Sequence, residues 1–166
     1  ALAEIASVGF GNPSSQLKLV GVTGTNGKTT VATVLYNTFR ELGYAVGLLS
    51  TVANFVNEEK YSTTHTTLEP ISLNYLLRKM VDAGCKYAIM EVSSQGLKMN
   101  RVDGFTFDYG VFTNISNEHI GPNEHESFEE YMYCKSLLFQ KCKKGIINVD
   151  DKNWENIIKN HTLGVD

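Results

Sequence analysis

Gly21-Val22-Thr23-Gly24-Thr25-Asn26-Gly27-Lys28-Thr29-Thr30 is the stretch on which the reading of this chain turns. An apolar run, Leu17 to Val22, leads into it, and a helix-periodic segment leaves it at Lys28. Strand, glycine-rich turn and a helix opening on Lys-Thr together make a phosphate cradle. Backbone N–H groups point inward, the helix N-terminus carries partial positive charge, Lys28 reaches the terminal phosphates and a hydroxyl takes Mg²⁺. Thr29, directly after the lysine, is the candidate hydroxyl. The strict phosphate-loop pattern asks for glycine where Val22 stands; here the glycines are Gly21 and Gly24. The loop is a variant. A plain Gly/Asn turn is the ordinary alternative, and it leaves the Gly-Lys-Thr-Thr string unexplained.

Working outward, Val31, Val34, Leu35, Phe39 and Leu42 recur at helical spacing after the loop, with Gly43 as C-cap. Ala45–Thr51 reads as a short apolar strand. Asn57-Glu58-Glu59-Lys60 reads as a turn between extended arms, followed by a Thr/His-rich loop. Pro70 opens a helix whose face is Leu73, Leu76, Leu77, Met80 and Val81, closed by Gly84. Strands are expected at Tyr87–Val92 and Phe107–Ile115. Ser127 with Glu130 forms a capping box for a helix to about Cys142, before a strand at Gly145–Val149 and an amphipathic piece around Trp154, Ile157 and Ile158. Strands that alternate with helices and read as continuous apolar runs predict an α/β fold of P-loop type, with a mainly parallel sheet flanked by helices. In such folds ligands gather at the carboxyl ends of the strands.

Composition narrows the function classes. Of 166 residues, 42% are hydrophobic, enough for one domain with a sizeable core. Fifteen basic against eighteen acidic residues, net −3, argue against a nucleic-acid partner. No stretch approaches a membrane span. Cys85, Cys134 and Cys142 are three, lack Cys-x-x-Cys spacing, and read as reduced, buried thiols of a cytoplasmic protein. The chain opens on Ala1 without Met, as a processed or excised piece does, and residues 1–16 read as a linker.

Six further positions carry chemistry. Glu91 ends the run Tyr87 to Met90, where a metal-side carboxylate for Mg·nucleotide chemistry belongs; a solvated strand-end acid is the alternative. His119 follows a strand end by a few residues, and a structural histidine is an equal reading. Lys135 lies beside an apolar stripe of Phe128, Tyr131, Leu138 and Cys142. The helix pattern alone favours a lysine snorkelling at the stripe's margin, whereas a desolvated lysine would react as the free amine. Thr66-Thr67 and Arg101 suit an anionic substrate, and equally suit a plain loop and surface.

Taken together and in order, the loop, Met90-Glu91-Val92-Ser93-Ser94, Arg101-Val102-Asp103-Gly104, Val111-Phe112-Thr113-Asn114, Glu118-His119 and Tyr131-x-x-x-Lys135-x-x-Leu138-Phe139 resemble the central ATP-binding domain of the Mur ligase family. The resemblance implies an ATP-dependent amide ligase of peptidoglycan precursor synthesis. Such enzymes phosphorylate the terminal carboxylate of a UDP-muramoyl dipeptide, here UDP-N-acetylmuramoyl-L-alanyl-D-glutamate, and an amino acid's amine then attacks the acyl phosphate. Carried over, Gly24, Thr25, Asn26, Gly27, Lys28, Thr29 and Thr30 hold the ATP phosphates, with Asn114 on the nucleotide side. Thr29 and Glu91 match ligands of one Mg²⁺. His119 matches a ligand of a second Mg²⁺, with Lys135 carrying a CO₂-derived carbamate. Lys28, His119 and Lys135 are thus the implied catalytic set, and Thr66, Thr67, Ser93 and Arg101 the implied muramoyl-peptide contacts. His65, Leu68, Gln95, Met99, Glu118 and Gly121 depart from the family's usual residues.

The family's uridine-binding N-terminal domain and C-terminal domain lie outside these 166 residues, so residues 17–166 are expected to be a truncated central domain that binds nucleotide weakly and does not ligate alone. Other readings are a folylpolyglutamate synthetase, which shares the loop and the lysine but not Glu-Val-Ser-Ser, and a nucleotide switch. A GTPase-type switch calls for Asn-Lys-x-Asp, and that string does not occur. A non-catalytic module would tolerate loss of the metal positions, yet all are present.

Overall fold

The computed structural model describes residues 2–118, 120–122 and 124–159. Among them the elements run α1 (Leu2–Gly9), a 3-10 turn (Pro13–Gln16), β1 (Lys18–Thr23), α2 (Lys28–Glu41), β2 (Val46–Leu49), β3 (Asn54–Val56), β4 (Glu59–Tyr61), α3 (Pro70–Asp82), β5 (Tyr87–Glu91), α4 (Ser94–Lys98), β6 (Phe107–Phe112), α5 (Phe128–Gln140), β7 (Cys142–Ile147) and α6 (Trp154–Ile158). They form a sheet in the order β4-β3-β2-β5-β1-β6-β7. Its five central and far strands are parallel; β3 and β4 form an antiparallel hairpin on one edge. The expected α/β class is the one observed.

Period-2 alternation divides the core between the two faces of the sheet. Leu19, Leu49, Met90, Phe107 and Phe112 belong to one buried cluster with Leu73, Leu77 and Met80 of α3 and Leu138 and Phe139 of α5. Val20, Val22, Leu48 and Ile89 pack on the other with Ala32 and Tyr36 of α2. Because both faces are covered there, the central strands β1, β2 and β5 are buried almost throughout.

Three glycines set the height of α5 above the sheet. Gly21, Gly110 and Gly145 are in register across β1, β6 and β7. A Cβ at Gly21 would lie 3.0 Å from Leu138 Cδ1 and from the Phe107 ring, and one at Gly145 would lie 3.2 Å from Phe139 Cδ1. The bare row therefore admits α5 to close contact, which carries Tyr131 and Lys135 down towards the end of β1. On β2, Gly47 leaves similar room, since its Cβ would meet Met80 Sδ at 2.3 Å.

The structure corrects local expectations. The segment 1–16 contains α1 against α3, with Phe10 edge-on to Tyr75 at a centroid distance of 6.3 Å. The helix expected to reach Cys142 stops at Gln140, and β7 begins at Cys142 rather than at Gly145. Cys142 faces inward, 2.9 Å from where a Gly110 Cβ would stand, which fixes it in the sheet. The capping box is also only half formed. Ser127 Oγ accepts from Glu130 N, but the Glu130 carboxylate accepts from the N–H of Glu126, one residue earlier than the reciprocal pattern. All three cysteines are buried thiols outside any disulfide, as expected.

Candidate active site

The loop after β1 is fastened to the end of β6. Thr25 N donates to Asn114 O at 2.8 Å, Asn26 N donates to Asn114 Oδ1 at 3.0 Å, and Asn114 Nδ2 donates back to Asn26 O at 3.0 Å. Thr113 Oγ1 also donates to Asn26 O at 2.7 Å. This closeness explains Gly24: it has φ +151°, and a Cβ there would fall 1.9 Å from Thr113 Oγ1. Gly27, at φ +84°, turns the chain into α2. The amides of α2's first turn thus open at the carboxyl edge of the sheet, where an anion is favoured. Thr29 is half-buried and Thr30 exposed in that turn.

Two lysine amines converge on the loop. Lys28 Nζ folds back, donating to Gly24 O and Thr25 O at 2.9 Å each. Lys135 Nζ donates to the same Gly24 O at 2.8 Å and lies 4.5 Å from the centroid of the Tyr131 ring. Lys135 is 2% exposed. The snorkelling expected from the helix pattern is therefore wrong: the glycine row lowers α5 until this side chain lies beneath the loop. Burial, then the charge of Lys28, lowers its pKa to about 7. Burial also lowers Lys28, opposed by Glu91 and Glu118. Tyr131 completes the wall, its hydroxyl 3.0 Å from Thr25 Oγ1, which also accepts from Ser116 N.

Across the loop stands Glu91, beside Val22 in the β1–β5 register and fully buried. It is not a solvated strand-end acid. Its carboxylate accepts from Thr51 N at 2.9 Å and Thr51 Oγ1 at 3.0 Å, which satisfies the charge in the apolar edge. Thr51 Oγ1 also lies within hydrogen-bond distance of Thr66 Oγ1, at 3.1 Å. Thr67 Oγ1 donates to Glu91 O and accepts from Ser93 N, while Ser93 Oγ caps α4 by accepting from Gly96 N. A Cβ at Gly96 would stand 2.7 Å from Thr67 Cβ, so glycine lets the two segments touch. Arg101, 7% exposed, donates from Nη1 to Thr67 O at 2.8 Å and pairs from Nη2 with Glu69 at 2.5 Å.

Thr66, Thr67, Ser93 and Arg101 are thereby drawn into one network with Glu91. His119 lies outside the described residues. Reasoning from sequence missed Thr51, Glu69 and His125. Thr51 was the most findable, as a polar residue just past the carboxyl end of β2. A small cavity of about 90 Å³ is lined by Lys28, Ser93, Ser94, Gln95, Glu124, Tyr131 and Lys135. A larger cleft, about 650 Å³, opens at the opposite ends of the strands around Lys18, Lys86 and Asp108. The smaller one holds both lysine amines, Lys28 half-buried and Lys135 buried, beside the glycine-rich loop.

A glycine-rich loop between the first parallel strand and its helix, walled by buried charges at the sheet's carboxyl edge, puts the chain among the P-loop α/β domains. Its family is narrower than that class. The model of the Mur ligase middle domain matches residues 22–165, and the chain belongs to that family. Among curated relatives, the UDP-N-acetylmuramoyl-L-alanyl-D-glutamate--2,6-diaminopimelate ligase of Bacteroides fragilis is 50% identical over 156 residues, covering 92% of this chain and 32% of that protein. The ligase of the same name from Clostridium perfringens is 43% identical over 159 residues, covering 96% of this chain and 32% of that protein. The chain spans about a third of the length of these relatives. A solved structure of a ligase of that name superposes with a TM-score of 0.78 at 32% identity, covering 86% of this chain and 29% of that one. A folylpolyglutamate synthase of Mycobacterium tuberculosis, solved with ADP and AMPPCP, superposes with a TM-score of 0.73 at 14% identity, covering 99% of this chain and 46% of that one, and shares the fold. No helix among the described residues is long and apolar enough to cross a membrane.

Proposed function

We propose that the protein containing this chain is a cytoplasmic, ATP-dependent ligase that joins 2,6-diaminopimelate to UDP-N-acetylmuramoyl-L-alanyl-D-glutamate during peptidoglycan precursor synthesis. The observation that carries the reading is the Lys135 amine, buried beneath the phosphate loop with its pKa lowered to about 7. A surface lysine is almost wholly protonated at neutral pH and inert to CO₂. This one has a substantial free-amine fraction, as carbamate formation requires. The names of the relatives supply the choice of substrates.

In this reading Gly24 to Thr30, with Asn114 holding Asn26, cradle the ATP phosphates. Lys28 leaves Gly24 O and Thr25 O to meet the terminal phosphates. The donor set fits hard cations: Glu91 and Thr29 offer oxygens to one Mg²⁺, and His119 with carbamylated Lys135 would hold a second. Bound there, Mg²⁺ neutralises charge on the phosphates. The γ-phosphoryl passes to the substrate's terminal carboxylate, releasing ADP, and the incoming amine then displaces phosphate to leave an amide. Thr66, Thr67, Ser93 and Arg101 orient the muramoyl peptide. Residues 1–16 connect to a uridine-binding domain, and residues 17–166 are part of the central domain. Choice of amino acid belongs to the C-terminal domain of the family.

Full-length protein incubated with ATP, UDP-N-acetylmuramoyl-L-alanyl-D-glutamate and single amino acids should incorporate 2,6-diaminopimelate best. No incorporation with any of them sinks the proposal. Incorporation of a different amino acid, such as lysine, keeps the ligase and corrects its substrate.

A further inference from the structure

Behind the cavity, the segment before α5 and the first turns of α5 bring together three side chains that the ligase reading does not use. His125 is fully buried. Its Nε2 lies 2.9 Å from Ser94 Oγ, while its Nδ1 has no hydrogen-bond partner and faces Glu130 Oε2 at 3.8 Å. Cys134, one helical turn beyond Glu130, is a buried free thiol. One ligand atom from each of the three lies within 4.8 Å of the others. An unpaired polar nitrogen in a dry interior is costly unless something fills the space before it.

From this geometry we propose that His125 Nδ1, Glu130 Oε2 and Cys134 Sγ bind a zinc-class transition metal ion, distinct from the Mg²⁺ positions of the phosphate loop. An imidazole, a carboxylate and a thiolate make a borderline-soft set that suits Zn²⁺ and disfavours Mg²⁺. The fourth position is left for water, as three-ligand sites allow. Outer contacts are already in place. With Nε2–H donated to Ser94 Oγ, the imidazole would present its Nδ1 lone pair, and Glu126 N and Lys98 Nζ hold the Glu130 carboxylate at 2.7 and 2.8 Å. Glu124, Lys98 and Lys135 are the other charged groups acting on His125. Lys98 and Lys135 oppose a bound cation, and deprotonation of Cys134, its proton passing to solvent, offsets them. The ion would tie the segment around His125 to α4 and α5, stiffening the wall formed by Ser94 and Tyr131.

Cobalt reports the site directly. Chelator-stripped, full-length protein in excess Mg²⁺, titrated with Co²⁺, should develop a thiolate-to-cobalt charge-transfer band that Zn²⁺ abolishes by displacement. Cys134→Ser or Cys134→Ala should lose the band, whereas Cys85→Ser and Cys142→Ser keep it. Ser94→Ala should weaken Co²⁺ binding by roughly 10–100-fold through the loosened imidazole. Absence of the band in wild type, or its survival in a folded Cys134 variant, overturns the proposal. Should neither Cys134 variant fold, zinc X-ray absorption on wild-type protein decides: one sulfur among nitrogen and oxygen neighbours supports the site, and an all-nitrogen/oxygen shell refutes it.

Discussion

Lys135 shows how one buried side chain ties stability to chemistry. Its pKa is about 7 in the fold against 10.5 as the ordinary value. Between those values the unfolded chain binds more proton at this position than the folded one, so this residue makes stability rise with pH across that window. Lys135→Met removes the titration. In urea unfolding at about pH 7 and about pH 10, the wild type should gain on Lys135→Met at the higher pH. A stability difference that stays constant, or moves the other way, contradicts a desolvated amine. In the full-length enzyme, Lys135→Ala should lower ligation by roughly a hundredfold or more, the scale of losing one charge-stabilising group. A short-chain carboxylic acid, standing in for the carbamate, should restore part of the rate. Full activity of the unaided variant contradicts the carbamate role.

At the scale of elements, the placement of Lys135 depends on α5 lying low on Gly21, Gly110 and Gly145. Gly21→Val puts branched carbon where even a lone Cβ would stand 3.0 Å from Leu138 and Phe107. Overpacking of this kind costs about 1–3 kcal/mol, so the urea midpoint should fall, and nucleotide affinity should fall with it as α5 lifts away. An unchanged midpoint would mean that the helix is not held by this contact. The main strands and helices were legible because each carries an apolar run or a 3.6-residue period. The loop announced itself through Gly-Lys-Thr-Thr, and Glu91 through its place at a strand end. Other elements gave no such signal. α4 has five residues, too few for a period, and is held by the Ser93 cap and by Thr67. β7 exposes Lys143 and Lys144 at the sheet edge, so its first half reads as polar turn rather than strand. The depth of Lys135 was hidden for a related reason: a helix pattern records which side chains share a face, not how near that face comes to the sheet.

At the scale of the whole molecule, a mainly parallel sheet covered on both faces brings Lys28, Glu91 and Lys135 to one carboxyl edge. The antiparallel hairpin β3–β4 and the loop after it extend that edge towards Thr66 and Thr67, so the phosphate loop and the proposed peptide-binding network share Glu91. Such an arrangement suits a reaction in which a phosphoryl group crosses from nucleotide to a neighbouring carboxylate. The most direct measurement follows oxygen through that step. Full-length enzyme is supplied with ATP, 2,6-diaminopimelate and UDP-N-acetylmuramoyl-L-alanyl-D-glutamate carrying ¹⁸O in its terminal carboxylate. Each phosphate released should carry one ¹⁸O from the substrate. Phosphate free of ¹⁸O, with product still forming, would contradict this phosphoryl transfer.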